Sequence, residues 1–66
     1  MEGVNLYISQ IKNFIWIGQK IRIKTFNGDI VFEGFSKNIP EYICNKDISC
    51  MYNEEELLVI TVYENI

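Results

Sequence analysis

The chain has 66 residues, 48% of them hydrophobic and 23% charged, with a formal net charge of −3 and no histidine. That length allows one small domain, residues 1–66, burying only about 60% of the surface its unfolded form exposes. The apolar content excludes a disordered segment, and the negative balance argues against a general nucleic-acid binder, which needs a basic patch able to compete with salt.

Val4, Tyr7, Ile8, Ile11, Phe14 and Ile15 recur at steps of three and four, which is one face of a helix. The spacing predicts a helix over residues 4–13. Asn5, Ser9, Lys12 and Asn13 fall off that face and interrupt the apolar residues, so no membrane span is expected here. The run Phe14-Ile15-Trp16-Ile17 either extends the helix or starts a strand, and Gly18 ends it as a C-cap or turn. Trp16 is expected to close one end of the core rather than to stand out as a binding anchor.

Residues 19–35 (QKIRIKTFNGDIVFEGF) read as two strands joined at Asn27-Gly28, a pair suited to a type I′ turn. With Phe26 facing Asp29, Lys24 falls opposite Val31, Ile23 opposite Phe32, Arg22 opposite Glu33 and Ile21 opposite Gly34. One face then carries Ile21, Ile23, Thr25, Ile30 and Phe32, and the other Lys20, Arg22, Lys24, Phe26, Asp29, Val31, Glu33 and Phe35. Arg22 with Glu33 reads as a cross-strand pair worth about 0.2–1 kcal/mol.

Pro40 opens a predicted helical turn over residues 41–44, with Ile39 and Ile43 inward. Residues 48–52 (ISCMY) read as a third strand with Ile48, Cys50 and Tyr52 on one face. Asn53, Glu54, Glu55 and Glu56 form a polar loop. Residues 57–64 (LLVITVYE) are the fourth strand, apolar on both faces: Leu57, Val59, Thr61 and Tyr63 against Leu58, Ile60 and Val62. Strands of that kind are normally covered on both sides. The expected fold is therefore α+β: an N-terminal helix on a small, mainly antiparallel four-stranded sheet of two β-hairpins joined by a short helical turn. The sheet either curls towards a small barrel or places its last strand at an edge, where a second copy completes it as a homodimer.

The order of a helix, then Gly18 to Ile23, Asn27 to Asp29, Val31 to Gly34, Ile39-Pro40 and Leu58 to Ile60 resembles small uncharacterised proteins of phages and mobile elements in low-GC Gram-positive bacteria. The resemblance covers most of the chain and rests on turn and core positions. It implies a mobile-element accessory protein in the host cytoplasm and carries over no catalytic, cofactor or metal-binding residue.

The side-chain chemistry agrees with a non-enzyme. Without histidine, nucleophile–base pairing lacks its usual base, and two cysteines without a CxxC motif do not compose a zinc site. Cys44 and Cys50 are expected to be reduced and partly buried, in a cytoplasmic protein. Asp29, Glu33 and Asp47 read as solvated turn and strand residues rather than as a carboxylate pair. Two binding readings remain. The first is a protein-binding surface, in the manner of an inhibitor of a host or defence protein, formed by Tyr42, Tyr52, Glu54, Glu55, Glu56, Leu57, Val59 and Tyr63. The second, ranked below it, is a nucleic-acid face of Lys20, Arg22, Lys24, Phe26 and Phe35, where Asp29 and Glu33 would repel phosphate.

Overall fold

The structure, a computed structural model, describes residues 6–63. Strands β1 (Lys20–Thr25), β2 (Ile30–Phe35), β3 (Ile48–Glu54) and β4 (Leu57–Val62) form one sheet in the order β2-β1-β4-β3. β1–β2 and β3–β4 are antiparallel hairpins, and β1 pairs with β4 in parallel. Helices α1 (Ile8–Ile11) and α2 (Glu41–Cys44) supply Ile8, Ile43 and Cys44 to a core with Ile21, Ile23, Ile39, Ile60 and Val62. The α+β architecture with a four-stranded sheet and little helix is thus what forms. The sheet is open, with β2 and β3 as its edges, so it is not a closed barrel. β4 is not an edge either. It is paired on both sides, which removes the expected dimer seam along the fourth strand.

The N-terminal helix is shorter than its periodicity suggests. Val4 and Asn5 lie outside the described residues. Tyr7 forms a β-bridge with Asp47, and Ile48 N–H donates to the Leu6 carbonyl at 2.8 Å, so the chain is extended until Ile8. The Gln10 side chain then accepts from Tyr7 N–H at 2.7 Å and closes the first turn. After Ile11 the helix tightens into a 3-10 turn, Lys12–Phe14, which breaks the stripe. Ile8 is fully buried and Ile11 and Ile15 pack against the core, but Phe14 is 88% exposed.

The first hairpin keeps the expected pairs Ile21–Gly34, Arg22–Glu33 and Ile23–Phe32. Its turn differs. Gly28 N–H donates to the Thr25 carbonyl (2.9 Å) and Thr25 N–H to the Asp29 carbonyl (2.8 Å), enclosing the three-residue loop Phe26-Asn27-Gly28. Among these three residues only Gly28 has positive φ, at 100°. This is the type I turn plus left-handed residue of a longer hairpin loop, not a type I′ pair. The buried Thr25 also accepts from Asp29 N–H through Oγ1 at 3.1 Å, which favours closing the loop there. One residue of β2 is left over, so Lys24 pairs with Ile30 and Val31 becomes a bulge. Val31 then packs against the core and Ile30 turns outward, the reverse of the alternation expected from sequence.

The same slip occurs in β3, which runs two residues past its predicted end to Glu54. Ile48 pairs with Val62 and Cys50 with Thr61, leaving Ser49 as the extra residue. Ile48 therefore faces the core, while Cys50 and Tyr52 point to the other side. The two thiols are both free, but only Cys44, at the end of α2, is buried; Cys50, expected to be partly buried as well, is exposed on the opposite face of the sheet.

Two measurements test this geometry. Gly28 has open space around its α-carbon, so Gly28→Val strains only the backbone; it should cost about 1–3 kcal/mol and lower the melting temperature by roughly 4–8 °C per kcal/mol. In the native protein a thiol reagent should modify one cysteine at once and the second only after denaturation. Cys50→Ser should abolish the fast phase; a fast phase that survives it would place Cys44 at the surface.

Candidate functional site

Strand alternation divides the sheet into two faces. Towards the helices run the rows Gly34–Ile21–Leu58–Asn53, Phe32–Ile23–Ile60–Met51 and Thr25–Val62–Ile48. On the opposite face run Phe35–Lys20–Leu57–Glu54, Glu33–Arg22–Val59–Tyr52 and Ile30–Lys24–Thr61–Cys50. No described helix covers this second face. It is one chemical surface, and it collects residues that the sequence distributed over two alternative sites.

From the protein-binding set it holds Tyr52, Glu54, Leu57, Val59 and Tyr63, with Glu55 and Glu56 at its rim. From the nucleic-acid set it holds Lys20, Arg22, Lys24, Phe26 and Phe35. One member of each set meets directly: the rings of Phe26 and Tyr63 stack with centroids 6.0 Å apart and planes 23° from parallel. Tyr42 does not belong. It is exposed on α2, in the helical layer on the other side of the molecule. Val59 is on the face but not at its surface, being 1% exposed between Arg22 and Tyr52. It supports the surface and cannot anchor a partner directly.

Arg22 donates to Glu33 Oε2 from both Nε (3.0 Å) and a terminal guanidinium nitrogen (2.8 Å), as the cross-strand register requires. It is the only salt bridge among the described residues, and both side chains are about a third exposed or more, so it contributes at most about 1 kcal/mol. Lys20 and Lys24 stand on either side of it along β1, neither in a salt bridge with another described residue. An open groove of about 510 Å³ lies between Lys20, Arg22, Phe35 and the acidic residues 54–56.

The acidic rim is held at a cost. Glu54 pairs with Leu57, so Glu55 and Glu56 alone make the turn, and Glu55 has φ 59°. A left-handed backbone is disfavoured for any residue with a β-carbon, and three adjacent carboxylates repel one another. The Gln19 side-chain amide donates to the carbonyls of Lys20 and Glu56, each at 2.9 Å, and ties the turn to the start of β1.

Before Gly18, which lines the groove, comes a segment whose Phe14 and Trp16 were expected to face the core. Phe14, Trp16 and Ile17 are 88%, 72% and 65% exposed. The Trp16 ring packs on Gly18, 2.6 Å from where a β-carbon would stand, and so lies outside the core. A usable signal was present: four consecutive apolar residues cannot all face inward on either a helix or a strand.

Among the described residues no three His, Cys, Asp or Glu side chains converge as metal ligands, and no helix is long and apolar enough to cross a membrane. Compared with known protein families, curated proteins and solved structures, the chain matches none.

Glu55→Gly should raise stability by about 1 kcal/mol. Chemical denaturation checks it through a higher midpoint at unchanged slope; a lower midpoint would mean that the Glu55 side chain makes a stabilising contact.

Proposed function

We propose that this chain is a non-enzymatic protein-binding module whose working surface is the uncovered side of the sheet, from the Phe26–Tyr63 stack to the acidic turn. The observation that carries this reading is the placement of the aromatic residues. Of the nine in the chain, Tyr7, Phe14, Trp16, Phe26, Phe35, Tyr42, Tyr52 and Tyr63 are exposed and only Phe32 is half-buried. The core is assembled from Ile, Val and Cys instead. Aromatic side chains dominate the energetics of protein interfaces, and eight of them outside a domain this small exceed what solvation of a monomer favours.

The strained acidic turn points the same way. A positive-φ glutamate flanked by two more is a local cost that binding to a basic partner would offset. With the resemblance to phage and mobile-element proteins, this supports an accessory protein that engages a host or defence protein in the cytoplasm, carboxylates steering the approach and aromatics holding the contact. The competing reading is a single-stranded nucleic acid on the same face. The line of Lys20, Arg22 and Lys24 between Phe26, Phe35 and Tyr52 favours it. Glu33 and residues 54–56 on the same surface oppose it.

Affinity capture from a Gram-positive host lysate tests the reading, using the tagged wild type beside the double variant Phe26→Ala/Tyr63→Ala and the single variant Tyr42→Ala. The expected result is a specific protein that is retained by the wild type and by Tyr42→Ala and lost with the double variant. Retention by the double variant would remove the face from the proposal. Binding to single-stranded DNA that weakens steeply with salt would transfer it to nucleic acid.

A further inference from the structure

We propose that the outer edge of β3 pairs with the same edge of a second copy about a twofold axis, joining two four-stranded sheets into one of eight strands. This goes beyond the function proposed above and uses a different surface: the rim of the sheet, not its open face.

The two edges of the sheet are unequal. The start of β3 is covered, because Tyr7 bridges Asp47 and Ile48 N–H donates to Leu6. Among the described residues that cover ends at Ile48. Beyond the Ser49 bulge, residues 50–54 run in unbroken register against β4, and all five are exposed. No described strand pairs with their outer side, and the sequence Cys-Met-Tyr-Asn before Glu54 contains no charge, proline or glycine. Natural edge strands are blunted by such residues, and an edge without them is a template for another strand. β2 is better guarded. Its regular stretch after the Val31 bulge is four residues long and includes the Arg22-bound Glu33 and Gly34.

A second copy fits this edge better than an arbitrary strand. With the axis at Tyr52, the free stretch matches itself: Cys50 opposes Glu54, Met51 opposes Asn53 and Tyr52 opposes Tyr52. No like charges face each other, as stable cross-strand pairing requires. Met51 and Tyr52, 44% and 43% exposed, point to opposite faces of the sheet, so pairing shelters one apolar side chain on each side.

Sedimentation equilibrium from low to high micromolar concentration tests the proposal. The wild type should pass from monomer to dimer. Met51 lies off the open face, so Met51→Lys should weaken the dimer by about tenfold or more while Phe26→Ala/Tyr63→Ala leaves it intact. A second measurement does not depend on a disruptive charge. In Cys50→Ser/Tyr52→Cys the new thiols meet at the axis, where antiparallel Cα separations of roughly 4.5–5.5 Å suit a disulfide, and mild oxidation should yield a covalent dimer. A wild type that stays monomeric, a dimer lost only with Phe26→Ala/Tyr63→Ala, or a thiol variant that fails to crosslink would each overturn the twofold β3 seam.

Discussion

The parallel pairing of β1 with β4 is the constraint on which the rest of this small fold depends. Antiparallel neighbours can be joined by a tight turn, whereas parallel ones need a connection that returns across the sheet. Here that connection contains β2, the 3-10 turn Ser36–Asn38, α2 and β3. Its helical parts lie on the same face as α1, and together they cover Ile21, Ile23, Ile60 and Val62. Among the described residues no further element lies on the other side. One covered face and one open face, as far as the described residues go, therefore follow from the seam.

The seam also explains an apparent paradox in β4. Residues 57–63 are apolar on both faces, which normally signals two covering layers. A central strand, however, is flanked on both sides by the side chains of its neighbours. Val59, between Arg22 and Tyr52, becomes buried with no described helix or strand above it. The two-sided pattern thus reports a central position in the sheet rather than a second layer or a dimer along that strand.

Division of labour among the apolar residues is unusually clean. Branched aliphatic side chains, with few rotamers to lose, fill the interior between short helices and the sheet. The large aromatic rings other than Phe32, which packs against the core, stand outside it. Three features that weaken a free monomer sit close to that open side: the left-handed Glu55, the run of carboxylates and the uncovered rings. Each is costly in water.

Sequence alone determined the α+β class, the order of hairpin, helical turn and hairpin, the inward Ile39 and Ile43, and three of the pairs in the first hairpin, including Arg22 with Glu33. These depend on local turn chemistry and on alternation, both of which are written into neighbouring residues. It also identified most of the residues on the open face, but as two alternative sites, because the register that merges them joins residue 20 to residue 57 across the chain. Where β4 lies in the sheet, which side the helices cover and where Tyr42 and Trp16 end up were decided by tertiary structure. So were the two bulges: an extra residue in β2 and in β3 reverses which side chains face inward beyond it, and nothing in a two-residue period announces where that residue falls.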